Sequence, residues 1–305
     1  MNITITGGAG YIGNKLCRFL VHNNHKITCI DWLEHGIYPI ADLLDYPNFK
    51  LLVSDINSPM ITDEVSNADI VIHLAGVVGF PACKRNPILA KHVNIDGAKR
   101  IFDNSKSVIF TSSGSVYGNL SQICTEDIVP NPLSLYAEQK LIGEQLLDLK
   151  NSVILRPATA FGVGPRTRDD LLINNFTKSA VYGEKMTIFE GDFKRTFISV
   201  NDLVRCITMA IAKFDTMRGE IWNVGSELNN CTKFDICNVL KNKMPKWSFS
   251  TNITDSFDQD MRNYEVDYSK IKNIGFTCHD DIPTEIDNII SYYRHIYNSS
   301  KIPKL

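Results

Sequence analysis

Asn2-Ile3-Thr4-Ile5-Thr6-Gly7-Gly8-Ala9-Gly10-Tyr11-Ile12-Gly13-Asn14 stands at the start of the chain, and its reading decides the fold. The first five residues are a β-branched run without a turn residue, the pattern of a buried parallel strand. The glycines follow at once, and after them Asn14 to Val21 is amphipathic, with Leu16, Phe19 and Leu20 on one face. Strand, glycine loop, helix is the phosphate-cradling unit of dinucleotide-binding folds. Gly7 permits the tight turn, Gly10 lets the backbone approach a pyrophosphate, and Gly13 lets helix and strand pack closely. Tyr11 and Ile12 complete the loop, and the helix N-terminus offers free N–H groups to the anion.

A second apolar strand, Lys26 to Ile30, ends in Asp31, 18 residues after Gly13. A carboxylate there accepts hydrogen bonds from both ribose hydroxyls of an adenosine and repels a 2′-phosphate, which selects NAD over NADP. A third strand ends in Asp55-Ile56, suited to the amine and face of adenine; Asp55 equally fits the N-cap of the next element. The fourth, Asp69 to Gly76, ends in Leu74, Ala75 and Gly76, whose small side chains leave room for a cofactor across the strand tips. His73 within it reads as a buried core histidine. A helix is expected over 81–105, with Asn94 near its middle.

The fifth strand delivers Thr111-Ser112-Ser113-Gly114-Ser115-Val116-Tyr117-Gly118 at its tip, and a helix after Asn131-Pro132 carries Tyr136 and Lys140. A sixth strand ends in Arg156-Pro157. Short apolar strands alternating with helices predict an α/β protein with one doubly wound parallel sheet. Beyond about residue 165 the alternation breaks down, which predicts a smaller mixed C-terminal lobe over the strand tips. Strands are expected near 193–200 and 221–225. The resulting division is a cofactor-binding domain of 1–165 plus about 196–225, and a substrate lobe of 166–195 plus about 226–305.

The chain has 305 residues, 44% hydrophobic and 22% charged, with a net charge of −2. That balance gives no electrostatic footprint for nucleic acid or an acidic membrane. No apolar run approaches the ~20 residues of a membrane span, and no signal peptide is legible, so a cytoplasmic protein is expected. The eight cysteines are scattered without a C-x-x-C pair and read as free thiols. The seven histidines show no metal-ligand spacing, so no metal is expected.

Tyr136 and Lys140, four apart on a helix, share one face. A free tyrosine, with pKa about 10, is a poor base at neutral pH. A neighbouring ammonium and an oxidised nicotinamide ring both favour its phenolate. Lys140 would also hold the nicotinamide ribose, and Ser113 can hydrogen-bond the same substrate oxygen.

With these residues in order, the chain resembles an extended short-chain dehydrogenase/reductase, of the NAD-dependent epimerase/dehydratase family acting on nucleotide sugars. The matching positions are Gly7-x-x-Gly10-x-x-Gly13, Asp31, Asp55-Ile56, His73-Leu74-Ala75-Gly76, Asn94, Ser113 with Val116-Tyr117-Gly118, Tyr136-x-x-x-Lys140 and Arg156-Pro157. The resemblance implies a Rossmann fold, catalysis by Ser113, Tyr136 and Lys140, and cofactor contacts that include Asn94. It implies diphosphate contacts at Arg195, in Arg195-x-Phe197-Ile198-x-Val200-x-Asp202, and at Arg262, before Tyr264-x-Val266-Asp267. Arg168 and Asn174, in a stretch resembling one subgroup with C4 redox chemistry, join Ser113 and Ser115 as expected substrate contacts. Gln139 stands where serine is usual, and Ser199 where histidine is usual. A nucleotide-diphosphate sugar as substrate and a homodimer, pairing helices near 83–105 and 133–150, are also implied.

The 4,6-dehydratases of the family carry Asp-Glu after the hydroxyl residue, whereas Ser113 is followed by Gly114-Ser115. The pattern instead resembles C4 epimerases such as UDP-glucose 4-epimerase. A net C4 dehydrogenase or ketoreductase would use the same residues, and a non-catalytic NAD-binding relative is the third alternative.

Overall fold

A computed structural model describes residues 1–251 and 263–300. Its centre is a seven-stranded parallel sheet. In chain order the strands are β1 (Asn2–Thr6), β2 (Lys26–Asp31), β3 (Phe49–Val53), β4 (Ile70–His73), β5 (Val108–Thr111), β6 (Ser152–Pro157) and, after three strands that lie elsewhere, β10 (Ile221–Val224). They stand in the order β10-β6-β5-β4-β1-β2-β3, so the winding reverses between β1 and β4. Ligands of open parallel sheets bind at such a reversal, beyond the carboxyl ends of the strands.

Strand side chains alternate between two covered faces. Ile109, Val153 and Leu155 enter a core with Leu16 and Leu20 of α1 (Gly13–His22) and Leu203 and Ile207 of α8 (Val200–Ala212). Phe110 and Ile154 enter the opposite core, beside Val65 of α2 (Thr62–Ser66) and Ile101 and Phe102 of α5 (Ala98–Asn104). The same face carries α6 (Leu135–Gln145), where Gly143 lets the helix lie on the Phe110 ring; a Cβ there would come within 2.8 Å of it. Each aliphatic side chain so buried contributes about 1.5–3 kcal/mol.

The helix expected over 81–105 is broken. It runs as α3 (Phe80–Arg85), α4 (Pro87–Lys91), a π-turn over His92–Gly97, and α5. Pro87 cannot continue α3, and Asn86 caps the new start by accepting from the Leu89 amide, 3.1 Å. The π-turn turns Asn94 inward.

Past Pro157, which ends β6 and has no ladder N–H to give, smaller sheets follow. Here β7 (Thr159–Phe161), β9 (Lys194–Ser199) and β11 (Asn230–Thr232) form a three-stranded sheet, and β8 (Met186–Ile188) pairs with β12 (Phe249–Thr251). Of the two late strands expected from the sequence, only β10 extends the large sheet; β9 pairs with β7 and β11 instead. Three helices, α7 (Leu172–Tyr182), α10 (Lys233–Lys243) and α12 (Ile282–Ser300), close a separate core around Phe161, Phe176, Phe197 and Ile286. The short helices α9 (Phe214–Met217) and α11 (Ser269–Asn273) sit near β10.

All eight cysteines are free thiols. No helix among the described residues is long and apolar enough to cross a membrane, and no metal-ligating cluster is found among them.

Candidate active site

The turn from β1 to α1 is built on close approach. Gly7 has φ +72°, and a Cβ on it would lie 2.7–2.9 Å from the Leu74–Ala75 backbone. A Cβ on Gly13 would lie 2.3 Å from the Gly7 carbonyl oxygen. Gly10 differs: its Cβ would meet only that oxygen, at 3.1 Å, because Gly10 otherwise borders a groove. The groove has a volume of about 650 Å³, and Gly7, Gly10, Tyr11, Ile12, Gly13, Asp31, Asp55, Ile56, Leu74, Ala75 and Gly76 all line it.

Asp31, at the end of β2, is held by two backbone amides: Ala9 donates to Oδ2 at 2.9 Å and Leu33 to Oδ1 at 2.8 Å. A carboxylate offers about four acceptor sites, so acceptor capacity for a ribose diol remains. Asp55 accepts the Asn57 amide at 2.8 Å and meets His92 Nε2 at 2.9 Å. Burial pushes its pKa up, but these bonds outweigh it and hold the carboxyl below the usual range. The cap of the following turn is Ser58, which removes the N-cap alternative for Asp55. The small-residue cradle, the anchored carboxylates and the groove fit the adenosine and diphosphate of NAD.

Asn94 does not line this groove. Its Oδ1 accepts the Val77 amide at 2.8 Å, and its Nδ2 donates to the Val77 carbonyl at 3.0 Å and to Gln139 Oε1 at 2.8 Å. Asn94 thus pins the loop after β4 from beneath, and Gln139 completes the pin. His73 is a core residue as expected: it is hydrogen-bonded to Thr6 Oγ1 at 2.8 Å, and burial pushes its pKa down to about 3.

At the tip of β5, Ser113 Oγ and Ser115 Oγ are 2.6 Å apart. Tyr136 lies half-buried in the first turn of α6, which Ser134 caps through the Ala137 amide at 3.3 Å. Lys140 is buried one turn on; its Nζ donates to the Thr111 carbonyl at 2.7 Å and stands 4.8 Å from the Phe110 ring centre. Burial pulls its pKa down to about 8, against the pull of Cys83 and Glu144. Arg168, which lines the groove and pairs with Asp170 at 2.9 Å, also feels the Tyr136 phenol. Burial pulls its guanidinium down, but Asp170 outweighs this and the net direction is up. A guanidinium beside the Tyr136 phenol favours its phenolate.

The remaining expected contacts are placed differently. Asn174 is fully buried; its amide holds the Gly162 amide at 2.9 Å and the Arg168 carbonyl at 2.9 Å. It therefore shapes the loop after β7 from within. Arg195 is buried on β9. Arg262 lies outside the described residues.

One network has no counterpart in the sequence reading. Arg156 pairs with Glu144 at 2.6 and 3.0 Å, both buried, and donates to Tyr117 OH at 3.1 Å. Tyr117 in turn donates to Asn223 Oδ1 at 2.7 Å, and Ser112 donates to Glu144. Glu144 is four residues past Lys140 and so shares its helical face. That spacing was the available signal.

The model of the NAD dependent epimerase/dehydratase family matches residues 3–225. The chain belongs to that family. It is an NAD-dependent enzyme with the family's Rossmann architecture. A relative named as an uncharacterized UDP-glucose epimerase, YtcB of Bacillus subtilis, is 31% identical over 249 residues, covering 74% of this chain and 77% of its own. A UDP-N-acetyl-alpha-D-glucosaminuronate decarboxylase of Bacillus cytotoxicus is 31% identical over 244 residues, covering 73% and 74%. A crystal structure of UDP-glucuronic acid 4-epimerase from Bacillus cereus, in complex with UDP-glucuronic acid and NAD, has a TM-score of 0.86 and 26% identity. It covers 97% of this chain and 100% of its own.

Proposed function

We propose that the enzyme is a nucleotide-sugar epimerase working by transient oxidation at C4 of the sugar. The carrying observation is the chemistry at the β5 tip and α6: hydroxyls on Ser113 and Ser115, a phenol on Tyr136 and an ammonium on Lys140, with Gly114-Ser115 where a dehydratase has its Asp-Glu pair. NAD, when bound, supplies reversible hydride exchange with C4. Tyr136, as phenolate, takes the proton of the C4 hydroxyl and returns it later. Lys140 and Arg168 stabilise the phenolate, and Ser113 orients the C4 oxygen and shares its charge. The glycine loop and Asp31 keep the cofactor in place between the two exchanges, so nothing is consumed.

On this reading 1–165 with about 196–225 hold NAD, while 166–195 with about 226–305 hold the nucleotide sugar, with Arg195 and Arg262 on its diphosphate. Exposed Ile88 and Leu133 support a homodimer through helices near 83–105 and 133–150. The nucleotide-sugar substrate supports a cytoplasmic setting.

The decarboxylase relative favours a second reading. Oxidation at C4 of a uronic acid makes a β-keto acid, so the same first step can end in loss of CO2. Incubation with UDP-, GDP- and dTDP-sugars, including UDP-glucuronic acid, separates the outcomes. Two interconverting stereoisomers without net reduction support the epimerase. Released CO2 supports the decarboxylase, and stoichiometric 4-keto sugar with reduced cofactor supports a net dehydrogenase.

A further inference from the structure

Arg166 lines the NAD groove together with Asp31, Trp32, Glu34 and His35. It comes from the loop after β7, and that loop is fastened. Tyr11 OH donates to the Gly162 carbonyl at 2.7 Å, Thr167 Oγ1 donates to the Gly164 carbonyl at 2.9 Å, and Asn174 holds the Arg168 carbonyl. A Cβ on Gly164 would sit 3.3 Å from Lys15 and 3.9 Å from Tyr11, which places the loop over the N-terminal end of α1. Among the described residues Arg166 makes no hydrogen bond and no ion pair, although it is half-buried; its neighbour Arg168 has Asp170. Burial and Arg168 lower its pKa, against Asp170, Glu34 and Asp31. A half-buried guanidinium without a partner is costly unless something anionic arrives.

We propose that Arg166 is a cofactor-binding residue that grips the adenosine-side phosphate of the NAD diphosphate from the loop held against the N-terminal end of α1. Its planar fork suits two phosphate oxygens. A 2′-phosphate is the other phosphate within such a groove, but Asp31 and Glu34 surround that position with negative charge. The inference rests on NAD being retained through turnover and names a residue that retains it.

The test is binding, independent of product. NAD, ADP-ribose, adenosine and NADP are titrated by calorimetry into wild type, Arg166→Ala and Arg166→Lys, and release of labelled NAD from each holoenzyme is timed. Arg166→Ala is expected to weaken NAD and ADP-ribose by about ten- to a hundredfold, the scale of one charged hydrogen-bonded contact, and to speed NAD release. Adenosine binding and the melting temperature stay as in wild type, the loss shrinks at high salt, and lysine restores part of it. Unchanged NAD affinity overturns the proposal. So does an equal loss for adenosine, which would mean a collapsed loop, or a loss confined to NADP. Net reduction or CO2 release would defeat the epimerase reading and leave these binding results standing.

Discussion

At the residue scale, the proposed function makes Tyr136 and Lys140 one acid–base unit with two separable roles. Replacing Tyr136 by Phe removes the base and leaves the groove intact. Turnover is expected to fall by about 10²–10⁴-fold with NAD affinity unchanged, checked by steady-state kinetics beside calorimetry. Lys140 is the pH-sensitive member, since burial brings its pKa from 10.5 to about 8. Its ammonium, and with it the support for the phenolate, is lost as pH rises through about 8. The alkaline limb of the kcat profile is therefore expected near there. Stability runs the other way: between about 8 and 10.5 the unfolded chain holds a proton on this lysine that the folded chain has released. This group's contribution to stability consequently rises with pH over that window, and urea titrations across it give the slope. That both residues lie on one helix, four apart, was legible in the sequence.

At the scale of elements, the β1–α1 turn separates packing from binding. Gly13→Ala drives a methyl group into the Gly7 and Gly8 backbone, with contacts of 2.3 and 2.6 Å. It is expected to lower stability by about 1–3 kcal/mol as well as NAD affinity. Gly10→Ala points its methyl group at the groove, so calorimetry should show weaker NAD binding while thermal unfolding stays unchanged. The turn could be read directly because its glycines answer to local sterics. The segment 81–105 could not, since hydrophobic periodicity runs through Asn86-Pro87 and the π-turn with little interruption. Asn94 faces inward only because of that turn. Its partner Gln139 is a tertiary contact that no local pattern encodes. The bonds of Asn174 to Gly162 and Arg168 were not legible for the same reason: a polar residue on an amphipathic helix gives no sign that its amide reaches into a loop.

At the scale of the whole molecule, the Glu144–Arg156 pair ties α6 to β6, and through Tyr117 and Asn223 to β10. Glu144→Leu strands a buried guanidinium and is expected to cost about 3–5 kcal/mol. The double variant with Arg156→Met, having no orphaned charge, should lose far less; denaturant midpoints of wild type, single and double variants decide it. A doubly wound parallel sheet followed from alternating strands and helices, but membership of β9 did not, since a short strand carries no mark of which sheet it joins. The bond from Tyr11 to Gly162 likewise joins distant parts of the chain, the dinucleotide turn and the loop after β7. The loop above the groove cannot lift without breaking that bond or dragging the turn along. Swapping of old cofactor for new would then be timed by how often one phenol lets go of one carbonyl. A Tyr11→Phe enzyme would trade its dinucleotide with the surrounding pool sooner, even where its equilibrium hold is little altered.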